Sequence, residues 1–75
     1  MSLWAVQQRA RRGEKEAQYQ LGEIYHYGWG VKVNRMEAER WLMAAAKQGH
    51  TKAICLVWIN YLEIYIIIIS FWYVL

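Results

Sequence analysis

The stretch from Gly13 to Gly49, GEKEAQYQLGEIYHYGWGVKVNRMEAERWLMAAAKQG, decides the fold. Ala17, Leu21, Ile24, Tyr25 and Gly28 fall at offsets 0, 4, 7, 8 and 11, which is one face of a 3.6-residue period and predicts a helix over 14–27. Glu14 and Glu16 lie in its first turn, where carboxylates suit the helix dipole. Gly28-Trp29-Gly30-Val31 breaks it, because two glycines two apart permit positive φ in a compact turn. Asn34 is a good N-cap, and Glu37 three residues on completes a capping-box pair. Ala38, Trp41, Leu42, Ala45 and Gly49 again share one face, predicting a second helix from Arg35 to about Gln48. Gly22 inside the first helix costs about 1 kcal/mol against Ala. The expected return is close approach of a neighbouring helix or its Trp. Trp41 is read as core, with Ala17 and Gly22 leaving it space.

Before this hairpin, Ser2 to Arg12 reads as a short helix capped by Ser2. Leu3, Val6 and Ala10 lie at helical spacing, and Arg9, Arg11 and Arg12 crowd the last turn. Gly13 then takes the left-handed stop position. Gly13 and Gly49 are 36 residues apart, and so are Ala10 and Ala46, Ala17 and Ala53, and Tyr25 and Tyr61. A period in this range marks a repeat architecture. The chain therefore reads as half a unit over 2–13, a full unit over 14–49, and a degraded start after it.

The run from Ala17 through Leu21-Gly22, Tyr25 and Gly28-x-Gly30, then Ala38, Trp41, Ala45-Ala46 and Gly49, resembles the Sel1-like repeat, a relative of the tetratricopeptide repeat. Asn34 stands where that family often has Asp, and both residues cap helices. The resemblance implies an all-α fold: antiparallel helix–turn–helix repeats of a short α-solenoid, here followed by a long apolar C-terminal helix. It also implies a non-catalytic interaction or scaffold module, with a groove formed by the first helix of each unit. Tyr19, Glu23 and Tyr27 lie at i, i+4 and i+8 beside the core face and would meet a protein or peptide there. The plain alternative is that the tyrosines pack on a neighbouring helix.

Composition sets the outer limits. Seventy-five residues make at most one small domain with a limited core. The chain is 57% apolar, has no Pro and carries five Trp and six Tyr, so it is not a disordered polymer. A lone Cys55 cannot form an internal disulfide, which fits a reducing compartment. The N-terminus lacks the apolar run of a signal peptide, so a cytoplasmic location is expected. All nine Lys and Arg lie at or before Lys52, and Glu63 is the one formal charge after it. That break divides a repeat region, 1–53, from an apolar tail, 54–75.

The tail does not continue the motif. Val57-Trp58 stands where Leu-Gly is due, and Ile64–Ile66 where Gly-x-Gly is due. Three readings compete. As a transmembrane helix its 22 residues reach about 33 Å, enough for a hydrocarbon core of about 30 Å. Asn60 and Glu63 oppose insertion, since a mid-membrane carboxylate costs about 2.5–3.5 kcal/mol, but the many Ile offset it. As a soluble helix it would cap the short solenoid. As a stretch that has left the repeat pattern, it is not under folding selection. The Ile66–Ile69 run, if exposed, is an aggregation hazard.

Candidate chemistry is sparse. Glu23 and His26 form Glu-x-x-His, a spacing used in di-iron bundles, but no further inward carboxylates accompany it. His50 and Cys55 are five apart and lack an orienting third group. Gly28-x-Gly30 follows a helix, whereas a dinucleotide fingerprint follows a strand. Arg9, Arg11, Arg12 and Lys15 form a basic patch that reads as a solvated helix end before it reads as a nucleic-acid or lipid site. The expectation is a partner protein of unknown identity, no cofactor, no metal, no nucleic acid and no catalysis. A membrane-anchored adaptor using 54–75 is the alternative, and an enzyme ranks behind both. One full unit with two partial ones falls short of the roughly three repeats a solenoid needs, so self-association or covering of the open ends is expected.

Overall fold

The computed structural model describes residues 2–75, and among them lie four α-helices and no strand. They are α1 (Leu3–Arg11), α2 (Lys15–Tyr27), α3 (Arg35–Lys47) and α4 (Thr51–Val74). Each packs on the next in sequence, through connections short enough to force antiparallel neighbours. The fold is an all-α helical repeat with a long apolar C-terminal helix.

The helix ends follow from single residues. Ser2 Oγ accepts from the Ala5 N–H at 3.2 Å and starts α1. At the other end Gly13, with φ 96°, donates to Ala10, and Glu14 donates to Arg9. Thirty-six residues later the same double bond recurs: Gly49, with φ 83°, donates to Ala46, and His50 donates to Ala45. Both are Schellman stops, and the repetition shows α1 and α3 in the same role. Asn34 Oδ1 accepts from the Glu37 N–H at 3.1 Å and caps α3. The reciprocal arm of the capping box is not made. Tyr25's carbonyl already takes the Asn34 N–H, and the Glu37 carboxylate turns to Arg40 at 3.5 Å.

Two small clusters form the core. Val6, Ala10, Ala17 and Leu21 make the first, with Leu3, Ile24, Tyr25 and Trp41 against it. Leu42, Ala45 and Ala53 make the second, joined by Tyr19, Ala46, Leu56 and Val57. Leu21 and Leu42 are the large side chains that are fully buried. Each contributes about 1.5–3 kcal/mol, so the core is thin.

Gly22 explains how α2 and α3 come together. A Cβ there would lie 2.6 Å from Leu42 Cγ and 3.3 Å from the Ala38 carbonyl oxygen. Close approach was expected, with Trp41 the named neighbour. The residue that fills the space is Leu42, while Trp41 turns to the α1 side and packs on the first cluster. A register of one residue on α3 decides this.

An amide relay joins three helix ends. Gln48 Nε2 donates to the Gly13 carbonyl at 2.9 Å and to Gln18 Oε1 at 2.8 Å. Gln18 Nε2 donates in turn to the Ala10 carbonyl at 3.2 Å. Gln18 is buried, which the apolar pattern of α2 does not reveal.

The tail continues α4 without a break, and the helix starts at Thr51, before the composition break. His50 caps it, Nδ1 accepting from the Ala53 N–H at 3.2 Å. The first half of α4 packs on α3 through Ala53, Leu56 and Val57. Beyond Asn60 every residue is exposed. The side of α3 that α4 covers is that of Leu42 and Ala45.

Candidate partner-binding face

The outward side of α2 holds the stripe of Tyr19, Glu23 and Tyr27, and the structure gives each a different setting. Tyr19 leans over the second cluster, its ring stacked on His50 at 4.5 Å and 18°. Burial, and next the charge of Glu23, push its hydroxyl above the usual tyrosine range. Glu23 lines a groove of about 230 Å³ between α1 and α2, with Leu3, Val6, Gln20, Ile24 and Trp29. Tyr27 is exposed at the rim, stacked on Trp29 at 5.1 Å and edge-on to His26 at 4.7 Å. Tyr19 therefore follows the packing alternative, and Glu23 and Tyr27 remain accessible.

Sequence reasoning passed over two wall residues. Trp29 is 57% exposed and lines the groove, held there by the turn at Gly28 and Gly30, with φ 73° and 76°. A Trp between two glycines in a short loop was the available signal. Gln20 is the other. Its Oε1 is buried, with no hydrogen-bond partner among the described residues.

Ala17, Leu21, Ala38 and Ala45 are buried, and Tyr25 Oη accepts from Gln7 Nε2 at 3.4 Å. Ala46 flanks the second cluster.

His50 was passed over as half of a Cys–His pair, and its role is different. It is 7% exposed, its Nδ1 caps α4, and its Nε2 lies 2.8 Å from Glu16 Oε2. An acceptor at Nδ1 puts the proton on Nε2, which then donates to Glu16. Cys55 is exposed and takes no part. Among the described residues, no three His, Cys, Asp or Glu side chains gather as metal ligands. In the basic patch, Arg9 pairs with Glu14 at 3.4 Å, while Arg11, Arg12 and Lys15 face solvent.

A helical hairpin repeating at 36 residues, with one glycine-enabled close approach and matched stops, defines a unit of a TPR-like α-solenoid. Residues 15–50 match the family model of the Sel1 repeat, and that segment is a Sel1 repeat. An uncharacterized protein of Neisseria meningitidis serogroup B is 46% identical over 44 residues, which are 59% of this chain and 9% of that protein. The chain thus spans a small fraction of its relative's length. No solved structure matches. Sel1 repeats serve in general as protein–protein interaction modules.

Proposed function

We propose that the chain is a non-catalytic adaptor that takes a peptide segment of a protein partner along the outward face of α2, with Glu23 and Tyr27 as contacts and Trp29 as a wall. The observation that carries this is the groove itself. It is apolar at its floor, with Leu3, Val6 and Ile24, and carries the Glu23 carboxylate on its wall. An apolar anchor with an adjacent basic residue fits that combination, and aromatic rims are common in interfaces. Tyr19 acts behind the face, fixing α2 against the base of α4.

Selection from a displayed peptide library tests the reading. Peptides enriched on the wild-type chain should carry an apolar anchor beside Lys or Arg. Glu23→Lys and Trp29→Ala should each weaken them about ten-fold, while Arg12→Ala at the far pole should not. Binding indifferent to both groove variants sinks the proposal.

A second reading divides the chain at residue 53 and makes 54–75 a membrane attachment for a cytoplasmic adaptor. One observation favours it: α4 is long and apolar enough to cross a membrane, and only 6% of its apolar window is buried. A soluble core helix would be mostly covered. Co-flotation with lipid vesicles decides this, and a chain that stays at the bottom of the gradient has no attachment.

A further inference from the structure

Trp58, Tyr61, Leu62, Tyr65, Ile68 and Trp72 fall at offsets 0, 3, 4, 7, 10 and 14 along α4, a single helical stripe. Each is half exposed or more. The first five, with Ile64, line an open apolar cleft of about 330 Å³ along the helix surface. The stripe contains no charge. It runs about 21 Å, over both the part of α4 that packs on α3 and the part that projects beyond it.

We infer that α4 lies lengthwise on a lipid bilayer through this stripe, with α3 still packed on its other side. The inference rests on the membrane reading above and changes its geometry from spanning to lying on. Three observations carry it. Crossing the bilayer would pull Ala53, Leu56 and Val57 off Leu42 and Ala45 and strip the second core cluster, whereas lying flat leaves the cluster intact. Asn60 and Glu63 sit in a cleft with Arg35 and Glu39 of α3, so the flat pose keeps the Glu63 carboxylate out of hydrocarbon. The stripe carries two Trp and two Tyr beside Leu62 and Ile68, and such rings favour the headgroup level. Lys47 lies beside Trp58, with Met43, at one edge of the stripe, where its stem reaches lipid phosphates.

The test uses the full chain and vesicles of phosphatidylcholine with one-fifth phosphatidylglycerol. A nitrobenzoxadiazole label is placed at Leu62→Cys or Tyr73→Cys in a Cys55→Ser background. The chain should float, both labels should report equal shallow depth, and external dithionite should bleach both completely. Tyr61→Ser with Tyr65→Ser should lower vesicle binding about ten-fold or more with the helical signal unchanged. A deep label at position 62 with a protected one at 73 means a spanning helix; it overturns this inference and leaves the membrane reading standing. Absence of flotation overturns both, and a dimer formed through the stripe in lipid-free buffer would then identify a second copy as its cover.

Discussion

α2 and α4 each follow a glycine stop, at Gly13 and Gly49, 36 residues apart, and end up unlike. α2 has Gly22 where α4 has Trp58, and Gly28 where α4 has Ile64. Gly22 lets Leu42 reach the backbone, so α2 is tightly clasped by its following helix. Trp58 bars any helix from approaching α4 in that way and is itself 64% exposed. Gly28 takes φ 73° and stops α2 after 13 residues, whereas α4 runs for 24. Two glycines therefore separate a packed repeat helix from an apolar rod that is exposed beyond Asn60. Propensity alone does not distinguish the two, because isoleucine and tryptophan are adequate helix formers.

The largest effect should come from giving α2 what α4 has. Gly22→Trp forces a bulky side chain onto Leu42 and should abolish the cooperative thermal transition followed by circular dichroism, a loss of about 3 kcal/mol or more. Gly22→Ala is the graded version. Helix propensity returns about 1 kcal/mol, but the added methyl meets a fully buried Leu42 Cγ, so a net loss of about 1 kcal/mol is expected. A rise in melting temperature would show that α3 can shift.

The two helices also start differently. Glu14 makes no side-chain cap bond for α2, while His50 does so for α4. His50→Ala should cost about 1 kcal/mol, and hydrogen exchange should quicken first at Ala53 and Ile54. Ile64→Gly copies the stop of α2 into α4. It should lower the helical signal from the projecting part while costing about 1 kcal/mol or less of global stability, since every residue beyond it is exposed.

The smallest effect is alkaline. Burial, then Glu23, raise the folded pKa of Tyr19 above its unfolded value near 10. The folded state then holds the proton more tightly, so this contribution is full below pH 10 and is lost as pH rises through the folded pKa. Urea midpoints measured from pH 9 to 11 should fall less steeply in Tyr19→Phe than in wild type.

Most of the fold was legible because it is written in local signals. Caps at Ser2 and Asn34, stops at Gly13, Gly28 and Gly49, and the 36-residue spacing each act within a few residues of where they stand. What was not legible depends on tertiary register. That Leu42 rather than Trp41 meets Gly22 turns on a rotation of about 100° about the α3 axis. Gln18 looks like a surface residue until Gln48 and the end of α1 are placed beside it. His50 had a signal, its position just after a stop glycine, but its stacking on Tyr19 joins residues 31 apart. The accessible part of the candidate face was legible as a stripe on α2. Its wall at Trp29 was not, because a loop side chain's direction is set by the two glycine dihedrals around it.

The amide relay bears on how such arrays change copy number. Gln18 and Gln48 both lie inside the 15–50 unit, and from the unit before it they require only the main-chain oxygens of Ala10 and Gly13. A unit of this kind carries its own fastener and needs no matching side chain upstream, so recombination can duplicate or delete it whole without spoiling the join. Ile54 stands 36 residues after Gln18. α4 lacks the fastener, and the apolar contacts of Ala53, Leu56 and Val57 with Leu42 and Ala45 hold it on α3 instead.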